Sequence, residues 1–267
     1  MVFKQSNFEQ ILDSEREMVL RGEERFGAYF VNAVRSSELL AQFVQTAYPD
    51  RMIFALFLSQ VRKHHVLALF STVRLHRIQA MMDLRQTLEA GACAAYAIAN
   101  TNADDFADKD EDGILNPSQD LAKKRYNWLD QKFAEESNAI KKIKEGINNS
   151  TAHSNIADAH RNFNFDAANA RFDTPFFDFE DEYFVKTDLW LIANVAIGLM
   201  RLFSKINSAL NVIVFNSEFE SRLLELTEQN GRLRNEMMHG LHPNFPPFKS
   251  RVRRLFGPPG AVAFPVL

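Results

Sequence analysis

Apolar positions recur every three or four residues along most of the chain, the period of a helix that buries one face. Phe26, Phe30, Ala33, Ser37, Leu40, Val44 and Ala47 alternate in steps of four and three. They predict one helix, closed by Tyr48-Pro49 because proline drives the preceding residue out of helical conformation. From Asp50 to Asn100 there is no proline and only Gly91, which predicts either one very long helix or two joined at a kink. Near its end Arg85 and Glu89 stand one turn apart, and Gly91, Ala92, Ala94 and Ala95 form a small-residue face that lets another helix approach closely. Helical spacing resumes at Pro117, read as a first-turn proline, until Gly146 and the run Asn148-Asn149-Ser150 end or bend it. Val185, Leu189, Ile192, Ala196, Leu199, Phe203, Ile206 and Leu210 repeat in four-three steps, while Trp190, Leu191, Val195 and Leu202 widen the apolar face. Such a helix is central, buried on more than one side, or part of an oligomer seam.

Two segments break the period. In "FNFDAANARFD", Phe163 and Phe165 alternate with polar residues before a turn and a second short run, which predicts a small hairpin or irregular excursion near 163–179. After residue 242 the chain changes character. Residues 243–267 hold six of the nine prolines, carry Lys249, Arg251, Arg253 and Arg254, and contain no acidic side chain. That tail reads as a poorly ordered end or as a basic arm for a partner chain or an RNA backbone. The pattern predicts an all-α multi-helix bundle, one domain over 1–242. A sub-division near 160–180 would leave 180–242 as its last part.

Composition adds limits. With 267 residues and 46% of them hydrophobic, the chain has enough apolar material for one large core or two small ones. A net charge of −3 provides no global field toward nucleic acid or anionic lipid, so any RNA contact must come from a local patch. Cys93 is the only cysteine and lies in an apolar run, which excludes an internal disulfide and suits a reducing compartment. The first residues lack a signal-peptide core, and Met52–Leu58 is too short to span a bilayer. A cytoplasmic location without a membrane partner is the expectation.

Candidate chemistry is sparse. Asp108, Asp110, Asp112 and Gly113 copy the opening of a calcium loop, but Gln119 replaces its closing glutamate, so a solvated acidic loop is the expectation. His153 and His160 are seven residues apart, about 10 Å along a helix axis and too far for one metal. His239 and His242 lack a third ligand. No glycine-rich phosphate loop or nucleophile elbow is present, and neither a metal nor another cofactor is expected. Arg62, Lys63, Arg74 and Arg77, with His64, His65 and His76, form a basic stretch that is either an RNA-phosphate track or a solvated face. Arg251, Arg253 and Arg254 extend that possibility into the tail. Asn148, Asn149 and His153 make a second polar cluster.

The last helical pattern, Ser217 to His239, packs through Phe219, Leu223, Leu226, Leu233 and Met237. At about 100° per residue, Asn235 and His239 lie nearly opposite that stripe and Arg234 on its flank. A helix-ending Gly240 and a dipole-favoured histidine would account for the terminus structurally. The residues Arg234-Asn235-Glu236-Met237-Met238-His239 also have the Arg-Asn-x-x-x-His form, and in this they resemble the HEPN superfamily. That resemblance implies a four- or five-helix bundle, usually dimeric, in which Arg and His of two copies meet as a metal-independent ribonuclease, often of a toxin or antiviral defence system. It makes His239 the general base or acid, Arg234 the phosphate-charge stabiliser and Asn235 the positioning group. The competing expectation is a non-catalytic helical module that binds protein partners.

Overall fold

The computed structural model describes residues 7–118, 120–150, 164–166, 171–173, 176–178 and 181–239. It is an all-α multi-helix bundle. The chain opens with α1 (Phe8–Leu20), α2 (Gly22–Phe26) and α3 (Ala28–Gln42), then a short strand β1 (Val44–Ala47). A helical hairpin follows, α4 (Met52–Val73) and α5 (Arg77–Ala99). Strands β2 (Ala107–Lys109) and β3 (Leu115–Pro117) precede α6 (Leu121–Lys132) and α7 (Ala134–Ser150). After β4 (Asn164–Asp166) and β5 (Arg171–Asp173) come α8 (Glu182–Leu210), β6 (Ile213–Phe215) and α9 (Phe219–His239).

Helix α8 is the axis. Every residue from Asp188 to Met200 is buried, because α3, α4, α5 and α9 all pack on it. Among the described residues it is also the one helix long and apolar enough to cross a membrane, with 83% of its most apolar window packed inside the protein. Gly91 makes the α5–α8 crossing close. A Cβ there would sit 2.6 Å from Leu199 Cδ2, so the small-residue face does bring a neighbouring helix near.

Four elements differ from the pattern. The stripe read as helix to Ala47 stops at Gln42, and β1 instead pairs antiparallel with β6. Phe43, fully buried, stacks on Phe203, Phe215 and Phe219, and this long-range cluster outweighs continued helix. The segment 50–100 is a true reversal rather than a kink. Leu75 N–H donates to the Thr72 carbonyl and His76 N–H to that of Ser71, a helix-ending pair of bonds that needs a left-handed residue, and Leu75 adopts it at φ 60°. Pro117 closes β3 opposite Ala107 instead of starting a helix, a position where an edge strand needs no N–H donor. The helical stretch read from Pro117 to the 146–150 run is two helices, separated at Phe133 (φ −143°, ψ 54°), and α7 passes Gly146 and reaches Ser150 in that run.

The 163–179 excursion contains the expected hairpin, with Phe165 opposite Phe172. The acidic loop closes on itself: Asp110 accepts the backbone N–H groups of Asp112 and Ile114 and the Asn116 amide, with Gly113 at φ 78°. Residues 243–267, His153 and His160 lie outside the described residues.

Candidate functional site

Helix α9 is fixed by Phe219, Leu223, Leu226 and Leu233, all buried, and by Met237, partly so. The seven-residue gap in that stripe is filled by Asn230, which is buried. Its Oδ1 accepts from Asn32 Nδ2 at 3.0 Å and its carbonyl from Trp190 Nε1 at 3.0 Å. Tyr29 hydroxyl donates to the Leu233 carbonyl at 3.0 Å. These bonds from α3 and α8 set the rotation of α9. Away from that stripe Arg234, on its flank, and Asn235, nearly opposite it, are exposed. Among the described residues no ion pair engages Arg234, whereas Arg232 one turn from Glu228 pairs with it at 3.7 Å. Burial, then the charge of neighbouring Glu236, pushes the Tyr29 phenol up. His239 is the last residue of α9, and its side chain lies outside the described part.

The basic stretch is divided by the α4–α5 turn. Arg62 Nε donates to the Leu40 carbonyl at 3.0 Å, and burial pushes its guanidinium down. Arg74 bonds the Phe70 carbonyl and reaches Glu15 at 3.5 Å; Arg77 Nε meets buried Asp188 at 2.7 Å. His64 bonds Asp83, His76 bonds Glu15, and His65 is wholly buried. Lys63 alone of the four basic candidates is exposed. The other three hold helices together, so they do not line one open track.

A second polar constellation joins α5, α6 and α7. Arg125 is buried; its Nη2 donates to Glu89 Oε2 at 2.6 Å, and its Nη1 to Cys93 Sγ. Lys144 pairs with the other Glu89 oxygen and donates to Tyr126 hydroxyl at 2.8 Å. Both cations lie over the Tyr126 ring, at 4.6 and 4.8 Å from its centroid. Burial alone would push the Glu89 carboxyl up. The Lys144 bond and the Arg125 charge outweigh it and hold the group below the usual carboxylate range. Burial pushes the Cys93 thiol up against the opposing Arg125 charge, leaving a neutral thiol at neutral pH. Of this set the sequence displays Glu89, by its spacing from Arg85, and the lone Cys93; Arg125 and Lys144 look like ordinary surface cations on helical segments.

Comparison of the chain with family models, curated proteins and solved structures finds no match. Site assignment therefore rests on geometry. A groove of about 690 Å³ lies between α7, α8 and α9, lined by Glu135, Glu136, Arg201, Lys205 and Glu220 among others. Within it Lys205 pairs with Glu136 at 2.6 Å and Ser204 donates to Glu220 at 3.1 Å, and neither Arg234 nor Asn235 lines it.

Proposed function

We propose that this protein is a metal-independent endoribonuclease of the HEPN type, working as a dimer in which the ends of two α9 helices face one cleft. The observation that carries the reading is the outward exposure of Arg234 and Asn235 on a helix whose opposite face is anchored. An unpaired guanidinium beside an amide, one turn or so before a terminal histidine, is half of the chemistry such cleavage needs. The imidazole of His239 takes or returns the proton of the ribose 2′-hydroxyl and the 5′-leaving oxygen. Arg234, always charged, forks onto the phosphate oxygens as charge builds on phosphorus. Asn235, four residues before His239, holds the ring by a side-chain contact across one turn. One copy offers an exposed Arg234 and Asn235 just before His239, and a second copy would supply the facing wall.

A non-catalytic module for protein partners is the second reading. It is favoured by the exposed apolar residues on α4, Met52 and Leu56 at 69% and 60% exposure and Phe70 at 37%. RNA incubated with the purified protein in EDTA separates them. The ribonuclease yields fragments ending in 2′,3′-cyclic phosphate, and His239→Ala or Arg234→Ala lowers the rate by about 100-fold or more. Intact RNA with the wild-type chain refutes the ribonuclease and leaves the partner-binding reading.

A further inference from the structure

The α5–α7 seam contains more positive charge than its own groups use. Tyr96 near the end of α5 packs on Trp128, which packs on Phe133 just before α7, while Glu89 further back on α5 meets Lys144 further on in α7. The two helices are therefore antiparallel. One turn beyond this pair lies Arg85 on α5 and, at the same level, Asn148 on α7. Both are half-buried, and each has a fully buried polar atom without a partner, Arg85 Nε and Asn148 Oδ1. Arg125 Nε, buried in the same seam, is also unpartnered. Among the described residues the ion pairs of Arg125 and Lys144 go to one carboxylate, Glu89, which the two share, and none engages Arg85.

Buried polar groups are nearly always satisfied, and orphaned ones mark a place that water or a ligand completes. A partly desolvated guanidinium without a counter-ion, next to two further cations, favours an anion. We propose that this seam binds a small oxyanion, a phosphate group or a carboxylate. Arg85 forks onto it, Asn148 donates its amide in the flipped orientation that an amide freely takes, and Arg125 and Lys144 supply the field. Three cations against one carboxylate leave an excess suited to a doubly charged group. The site lies on elements other than α9 and does not depend on the ribonuclease reading.

Thermal unfolding of the full chain in phosphate, succinate and chloride at equal pH and ionic strength tests it. Phosphate at ten times its Kd is expected to raise Tm by about 3–5 °C over chloride. Arg85→Gln removes that shift while its Tm in chloride stays within about 1 °C of wild type, since Arg85 holds no partner to lose. Asn148→Asp, which sets a like charge against the anion, also removes it. An Arg85-dependent shift in succinate alone identifies a carboxylate ligand. Equal Tm in all three salts, or a full shift retained by Arg85→Gln, overturns the proposal.

Discussion

Acidification from pH 7 to pH 5 is expected to destabilise the fold through His65. The ring is completely buried where α3, α4 and α8 meet. Its Nε2 lies 3.0 Å from the Ile192 carbonyl, which only accepts, so the proton sits on Nε2 and Nδ1 faces Ser37 Oγ at 3.0 Å. Ser37 Oγ is also 3.0 Å from the Ala33 carbonyl, so one hydroxyl proton serves two acceptors. A second proton on Nδ1 would relieve that competition, but burial penalises the charge more, and the ring is pushed down to about 4 despite the favourable Ile192 bond. In the unfolded chain the same ring titrates near 6.5. Between these values the unfolded state binds the extra proton, so the stability is fully present above about pH 6.5 and drains away as pH falls toward 4. For a folded value of about 4, the loss relative to pH 7 is about 2 kcal/mol by pH 5 and about 3 kcal/mol by pH 4. Urea unfolding of the wild type and of His65→Gln at pH 7, 6 and 5 isolates the effect, because glutamine keeps a donor and an acceptor but does not titrate. The variant starts lower and falls less steeply. Parallel profiles for the two proteins would refute the assignment of a neutral, titratable His65.

Two further outcomes follow from buried contacts. Asn230→Leu strands the Asn32 amide, whose Oδ1 already lacks a partner, and should cost about 2 kcal/mol. The double variant Asn32→Leu/Asn230→Leu should recover part of that loss in urea titrations, and a double variant weaker than the single one speaks against the bond. Gly91→Val presses a branched side chain onto fully buried Leu199 and should cost about 2–3 kcal/mol. A double-mutant cycle with Leu199→Ala should show coupling of about 1 kcal/mol or more, whereas strict additivity would mean that the crossing is looser than it looks.

Periodicity identified the helices because it reports the apolar face, and this fold is built on apolar faces. It failed where another force decided. The α4–α5 reversal was hidden because its left-handed position is Leu75 rather than glycine, so no turn residue announces it. The Leu75 carbonyl accepts from Asp178 N–H at 2.9 Å, a bond from a segment about a hundred residues away that no local window contains. Strand β1 looked helical because Val44 and Ala47 continue a helical spacing, while their partners in β6 lie about 170 residues on. Arg125 is likewise invisible: nothing near it in sequence says that its counter-ion is Glu89.

The motif on α9 shows how these two kinds of information combine. Leu226 and Leu233 alone leave a seven-residue gap, and a helix held only by non-directional apolar contact can turn by a fraction of its circumference at little cost. Asn230 fills the gap with a directional bond to Asn32, and Trp190 and Tyr29 add bonds to the Asn230 and Leu233 carbonyls. A turn of about 100°, the angle of one residue, would break all three and carry exposed Arg234 toward the packed side. The residue that looks like an interruption of the hydrophobic stripe is therefore what aims Arg234 and Asn235 outward. If Asn230→Leu lets α9 turn, any ribonuclease activity should fall with it even in protein that remains folded.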